Sequence, residues 1–400
     1  MTSAVHPVAR TPEEWSAALA AAGARPFAAK QVFDWIHRRG VLDAAAMTNL
    51  PAPLRASLSA EGLAAVGEVE RVHASSDGTR KLLVRFADGA TAETVLLPGV
   101  SGPGSSAAVQ AESGAVLDAD AAAADDEDDD DEDGGAEAAH GAAPAVRVTQ
   151  CISTQVGCAM GCVFCASGVA GLKRHLGAEE IVGQVLLGRA HLGEGERLRN
   201  VVLMGMGEPL HNYDATARAL RLLIHPQGIG LSPRRITVST SGLVPEIARL
   251  GADFQGQMGL AISLHAADDE TRSALMPINK RYPLAALLDA LRAYPLPKRR
   301  RITIEYTLVA GKNDDPTEAR KLGRVLRGLR VKINLIPMNP IEHSTLGPPD
   351  MARVEAFQRV LLDAGFSCFV RRRRGDDVAA ACGQLALLGA KPKVKGFRPA

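Results

Sequence analysis

Cys158, Cys162 and Cys165 lie within eight residues, in the stretch Gly157-Cys158-Ala159-Met160-Gly161-Cys162-Val163-Phe164-Cys165. A cubane iron–sulfur cluster has four irons, and thiolates normally hold all of them. Three ligands from one short loop leave the fourth iron open to a small molecule. Structural zinc asks instead for four closed ligands, usually as two separated pairs. The spacing favours the open cluster, with zinc as the alternative that the rest of the chain must decide.

Such a loop needs a scaffold, and the apolar pattern supplies one. Candidate strands are Val146 to Ser153, Asn200 to Met204, Arg234 to Ser239, Gly259 to Leu264, Arg301 to Val309, Lys332 to Ile336 and Cys368 to Arg371. Helical patterns fall between them, at Ala178 to His191, Tyr213 to Ile224, Leu284 to Tyr294, Thr317 to Leu329 and Met351 to Ala364. Strand–helix alternation of this kind predicts a parallel α/β sheet with right-handed crossovers. Six or seven units fit a partial (β/α) barrel better than a closed eightfold one. Ligands collect at the carboxyl ends of strands in both forms. There the sequence places the cysteine loop, Gly205-Met206-Gly207-Glu208-Pro209, Ser239, Ser263, Leu264, His265 and Asn339.

Upstream, Thr11-Pro12-Glu13-Glu14 has the form of a helix start with a capping box. Helical segments follow, and then two strands, Lys81 to Phe86 and Ala92 to Leu97, joined by Ala87-Asp88-Gly89. Residues 99–145 are Ala, Gly, Ser and acid, a composition that cannot offset the cost of ordering and predicts disorder. The expected divisions are an accessory region at 1–98, the acidic insertion at 99–145, a barrel at 146–375 and a carboxyl-terminal segment at 376–400.

The net charge of +1 conceals a strong asymmetry. Thirteen acidic residues and no Lys or Arg lie between Ser101 and Val146, nine of them in the unbroken run Asp125 to Asp133. The remainder carries 46 basic against 32 acidic residues, a net of +14. A surface that basic attracts polyanions, and nucleic acid is the natural candidate. The runs Lys298-Arg299-Arg300-Arg301 and Arg371-Arg372-Arg373-Arg374 are expected to meet phosphate, and the tail Lys391 to Lys395 to add flexible positive charge. No stretch approaches the ~18 apolar residues of a membrane span, and the amino terminus lacks a signal-peptide run. A cytosolic protein is expected. Six cysteines, three of them clustered, suit metal binding in a reducing compartment better than a disulfide framework.

Longer motifs sharpen this reading. Cys151-Ile152-Ser153-Thr154-Gln155-Val156-Gly157-Cys158, Met204-Gly205-Met206-Gly207-Glu208-Pro209, Thr240-Ser241-Gly242, Ala261-Ile262-Ser263-Leu264-His265-Ala266, Pro277-Ile278-Asn279-Lys280 and Arg374-Gly375-Asp376-Asp377 leading to Ala381-Cys382-Gly383-Gln384-Leu385 closely resemble the RlmN branch of the RlmN/Cfr radical S-adenosylmethionine (SAM) RNA methyltransferases. The resemblance runs from Arg10 to about Leu388, except for the acidic insertion.

It implies a partial (β/α)6-type radical SAM barrel and a [4Fe–4S] cluster held by Cys158, Cys162 and Cys165, with SAM on the open iron. Gly207, Glu208, Ser239, Ser263, Leu264, His265 and Asn339 would contact SAM. It also implies methylation of C2 of an adenine in 23S rRNA and of the adenine 3′ of the anticodon in tRNA. That carbon is electron-poor and cannot attack a methyl sulfonium directly, which is why a radical route is needed. By similarity, Cys382 carries the methyl group, Glu93 takes the C2 proton, and Cys151 frees the product by forming a disulfide with Cys382. An external one-electron reductant is required, and nothing in the chain points to more than a monomer. The alternatives are C8 methylation, as in the Cfr branch, and a non-catalytic RNA-binding protein with structural zinc. Cys368 matches no role in the family and is expected in the core.

Overall fold

The capping box forms as its residues dictate. The Glu14 N–H donates to Thr11 Oγ1 at 3.3 Å, and the Thr11 N–H donates to the Glu14 carboxylate at 2.9 Å. They open α1 (Pro12–Ala21), which α2 (Phe27–Phe33) and α3 (Ala52–Ala60) follow. Trp15, Leu19, Val32, Phe33 and Leu58 from these helices are buried in the main core cluster. The computed structural model describes residues 5–21, 25, 27–99, 145–341, 344–371 and 374–385. Almost all of the acidic insertion, Arg372, Arg373 and the basic tail lie outside them.

Three antiparallel strands come next: β1 (Gly67–Ala74), β2 (Arg80–Phe86) and β3 (Thr91–Pro98). The chain then forms β4 (Val146–Cys151), a small hairpin of β5 (Gln155–Val156) and β6 (Arg174–His175), and six further strands. These are β7 (Glu196–Leu203), β8 (Ile236–Thr240), β9 (Gly259–Ser263), β10 (Ile302–Leu308), β11 (Val331–Pro337) and β12 (Cys368–Val370). One ten-stranded sheet has the order β1-β2-β3-β4-β7-β8-β9-β10-β11-β12. From β4 to β12 every pairing is parallel, so seven parallel strands make the arc. β3 pairs antiparallel with β4, Val95 opposite Cys151, so the amino-terminal strands extend the same sheet. Among the described residues no ladder joins β12 back to β1 or β4. The barrel is open, as the number of units suggested.

The crossovers carry α4 (Ala166–Ala170), α5 (Ala178–Ala190), α6 (Tyr213–Ile224), α7 (Val244–Phe254), α8 (Asp269–Leu275), α9 (Leu284–Ala293), α10 (Pro316–Val325) and α11 (Met351–Asp363). Val238, Leu260, Ile262, Ile304, Tyr306, Ile333 and Leu335 fill the main core with residues of these helices. The opposite, inner face is polar near its carboxyl end. Residues paired across a sheet share a face, and the registers line up Cys151, Val202 and Thr237. They also align Ser239 with Ala261, and Ser263, Glu305 and Asn334 in one row. Side chains two apart along a strand share a face, so Cys151, Ser239, Ser263 and Glu305 all line the inside of the arc, with Glu93 two residues before Val95 on the same side.

Candidate active site

The cysteine loop leaves β5 and returns through α4. Its turns demand glycine: Gly157 has φ +76°, and a Cβ there would lie 2.0 Å from the Gly171 carbonyl oxygen. Burial raises all three thiols. Cys158 is pushed up to about 12, Cys162 well above its ordinary value, and Cys165 also upward; neighbouring loop thiols add to the shift of Cys158 and Cys162, and Cys382 adds to that of Cys165. Three coupled, desolvated thiols favour ligation by a metal centre, because coordination removes their protons. Among the described residues no group of three or more His, Cys, Asp or Glu gathers tightly enough to hold a single ion. The soft three-thiol set fits a cluster with one open corner.

The glycine motif after β7 lies beside this loop. Gly207 has φ +107°, and a Cβ would lie 2.6 Å from Gln155 Cβ. The close approach lets the Glu208 N–H donate to Gln155 Oε1 at 2.9 Å. The Glu208 carboxylate is buried and accepts from Leu210 N–H and from both the N–H and the hydroxyl of Ser241, at 2.7–3.1 Å. Burial raises its pKa against those hydrogen bonds. Ser241 is a site residue that sequence reasoning passed over, although its motif was recognised.

The other expected contacts divide into two kinds. Ser239 and Ser263 are half-buried on the inner face, and among the described residues their hydroxyls have no protein partner. Leu264 is engaged at both backbone groups, its N–H by Glu305 O and its carbonyl by Arg272 Nε. His265 adopts φ +58°. Its Nδ1 accepts from Thr307 N–H at 2.9 Å, and its ring meets Phe164 of the cysteine loop edge-on at 4.8 Å. Burial, then Arg272, lowers its pKa to about 3, so the imidazole is neutral. Asn339 donates from Nδ2 to the Cys382 carbonyl at 2.9 Å, and its Oδ1 is buried without a partner.

Cys382 comes to the mouth although 217 residues separate it from Cys165. Ala166 N–H donates to Gly383 O at 2.8 Å, and Ser167 Oγ donates to Leu385 O at 2.6 Å. Cys382 lies near enough to both Cys151 and Cys165 to raise their pKa values. The turn between β1 and β2 clasps the approach to it: Gly375 N–H donates to Asp77 Oδ2 at 3.0 Å, and Ser76 N–H to Asp377 at 3.2 Å. Arg374 donates to Pro98 O at 2.6 Å, so this member of the basic run faces inward.

Glu93 is buried and pairs with Lys81 Nζ at 3.0 Å; Lys81 also donates to Ala379 O at 3.2 Å. Sequence reasoning missed Lys81. Its only signal was a lysine beside the apolar run Leu82-Leu83-Val84, in a hairpin whose partner strand carries Glu93. Removing one member of a buried pair typically costs about 3–5 kcal/mol, so Lys81 and Glu93 are mutually dependent. Cys368 is buried in the core, as expected. All six cysteines are free. The Cys151–Cys382 disulfide implied by resemblance is therefore not present in this structure.

An open parallel arc with three thiols at its carboxyl mouth defines a radical SAM fold and site. The Radical SAM superfamily description matches residues 152–322, and that of the ribosomal RNA large subunit methyltransferase N-terminal domain matches residues 11–63. The chain is 78% identical over 391 residues to the dual-specificity RNA methyltransferase RlmN of Sorangium cellulosum, covering 98% of each. It is 42% identical to that of Rhodospirillum rubrum, covering 93% of this chain and 78% of the relative. The crystal structure of a radical SAM methyltransferase from Sphaerobacter thermophilus superposes with a TM-score of 0.80 at 40% identity, covering 95% of this chain and 99% of that one. The chain belongs to the RlmN family of radical SAM RNA methyltransferases. Membership brings a [4Fe–4S] cluster and SAM, which the three thiols and the polar inner face fit. No helix among the described residues is long and apolar enough to cross a membrane.

Proposed function

We propose that this protein methylates C2 of adenine in 23S rRNA and in tRNA through a methyl-cysteine, with Cys158, Cys162 and Cys165 as cluster ligands. The observation that carries this reading is the convergence of Cys382, Cys151 and the buried Lys81–Glu93 pair beside the three-cysteine loop, from three distant parts of the chain. Bound there, the cluster and SAM supply a methyl group, an electron and a radical able to take hydrogen from an unactivated methyl. The polypeptide does the rest. Ser239, Ser263 and the free Asn339 Oδ1 line the pocket and orient SAM, while Glu208 and Gly207 shape its wall. Cys382, anchored by Asn339 and α4, attacks the sulfonium methyl as a thiolate, and S-adenosylhomocysteine leaves with the electron pair. Once the methyl carbon is joined to C2 of the base and the adduct has given up its unpaired electron, Glu93 accepts the C2 proton and the ring regains its aromaticity. Cys151 then attacks Cys382 sulfur as a thiolate, the sulfur–carbon bond breaks with its electron pair going to the carbon, that carbon takes a proton to complete the methyl group, and the base is released.

The base must be extruded to reach this inner face. The protein acts as a cytoplasmic monomer supplied by an external one-electron reductant, and an external dithiol, giving two electrons and two protons, returns the disulfide to thiols. The test is an anaerobic assay of the reconstituted protein with ribosomal and transfer RNA side by side, with mass mapping of the product. Methyl at C2 together with 5′-deoxyadenosine is expected. Methyl at C8 alone would move the protein to the other branch, and absence of 5′-deoxyadenosine with RNA present would end the reading.

A further inference from the structure

We propose that Arg272 is the buried counter-charge of the cluster: a guanidinium whose partners in this chain are all neutral oxygens, so that its charge is answered by the thiolates of the cysteine loop. The proposal rests on the reading of Cys158, Cys162 and Cys165 as cluster ligands. Arg272 is fully buried. Its Nε donates to Leu264 O at 3.0 Å, one terminal nitrogen to Asn279 Oδ1 at 2.8 Å, and the other to Ser241 O at 2.7 Å and Ser263 O at 3.2 Å. None of these partners is charged. A buried cation without an anion is costly, and proteins retain one where a charge is supplied to it.

The carboxylate of Asp269, on the same helix, is kept away from it. Asp269 Oδ1 accepts from Asn279 Nδ2 at 2.9 Å and from Leu284 N–H at 2.8 Å. Asn279 thus turns its carbonyl to the guanidinium and its amide nitrogen to the carboxylate, separating the two charges. The motif Pro277-Ile278-Asn279-Lys280 thereby acquires a physical role, which is to prevent Arg272 from being neutralised within the protein. The same segment grips the cysteine loop. Val163 N–H donates to Leu275 O at 3.1 Å, one turn beyond Arg272 in α8, and Gly161 packs against Pro277. The charged neighbour that most favours the protonated guanidinium is Cys162, ahead of Asp269.

A cluster with three thiolates is anionic, and more so when reduced. A fixed cation beside it stabilises the reduced state, so Arg272 raises the reduction potential. It also fixes the carbonyls of Ser263 and Leu264 at the mouth. Arg272 is a positioning residue, and a potential separates this role from a merely structural one.

The experiment is anaerobic reconstitution of the full chain, iron and sulfide analysis to establish loading, and a reductive titration followed by electron paramagnetic resonance without SAM. Arg272→Gln is expected to shift the equilibrium at least tenfold against the reduced cluster, about 59 mV more negative for one electron. Arg272→Lys, which keeps the charge, is expected within about threefold of wild type. Asn279→Asp, which gives the guanidinium a carboxylate, is expected to shift in the same direction as Arg272→Gln. If Arg272→Gln fails to fold or load, Asn279→Asp decides alone. Potentials within about threefold of wild type for the charge-altering variants that load overturn the proposal, as does Arg272→Lys behaving like Arg272→Gln. A wild type that binds no four-iron cluster defeats the underlying reading instead, so the two failures are distinct.

Discussion

Cys151 illustrates how one buried side chain can be idle at rest and reactive in turnover. Burial, then the adjacent Cys382, pushes its thiol up to about 12, with Arg371 opposing. At neutral pH it is therefore a protonated thiol, which in the proposed mechanism leaves Cys382 free to accept a methyl group. The attacking species in release is the thiolate, whose fraction rises about tenfold per pH unit below the pKa. Two consequences follow for the covalent RNA adduct. Cys151→Ala should accumulate protein attached to RNA, visible as a shifted band on a denaturing gel. In wild type the adduct should decay faster as pH rises from about 7 to 9, approaching tenfold per unit. A Cys151→Ala enzyme that turns over normally would remove Cys151 from the mechanism.

The turn between β1 and β2 explains why the amino-terminal strands belong to the chemistry. Asp77 accepts hydrogen bonds from Thr79 and from Gly375. Partial burial alone would raise its pKa, yet these bonds hold it down at about 2. The clasp it makes on the Cys382 segment is therefore intact above the ordinary carboxylate range near 4 and is lost as pH falls toward 2. After discounting for solvent, the clasp is worth about 1 kcal/mol. Asp77→Ala should speed backbone hydrogen exchange at Gly375–Gly383 about fivefold and slow methyl transfer to Cys382, with cluster loading unchanged. Unaltered exchange there would show that the clasp holds nothing. None of this could be read before the fold was known. The parallel strands were readable because runs such as Arg301 to Val309 place apolar residues at every second position and are bounded by polar turns. β1 was hidden because five of the eight residues of Gly67–Ala74 are exposed and three are charged, and α7 because Pro245 and Gly251 interrupt its pattern. Cysteine spacing located the cluster loop, since its ligands are local. Lys81 with Glu93, Asp77 with Gly375 and Arg272 with Asn279 were out of reach because tertiary register, and not spacing along the chain, brings the first two pairs together. In the third the two residues are near neighbours, but only burial gives the contact its meaning.

Charge across the entire chain sets how RNA arrives. The described fold shows where the acidic segment is rooted: Gly99 N–H donates to Arg147 O at 2.6 Å, and Pro98 stands opposite Val148. Its two ends thus meet as the ends of a hairpin between β3 and β4. Cys151 and Glu93 lie at the other end of those strands, so the root is at the edge of the sheet remote from the mouth. Replacing residues 100–144 by a short turn should therefore leave the fold and the rate at saturating RNA unchanged. Its effect should be electrostatic, because the deletion removes thirteen carboxylates from a chain otherwise at +14. RNA affinity should rise at low salt, and the difference should shrink as the screening length falls from about 30 Å at 0.01 M toward 8 Å at 0.15 M. The salt dependence of the deleted protein should be the steeper, at ~0.7 log unit per log unit of salt for each added single-strand phosphate contact. Filter binding of a tRNA anticodon stem-loop across that salt range measures both. Equal affinities for the two proteins at low salt would mean that the carboxylates do not compete with RNA for the basic surface.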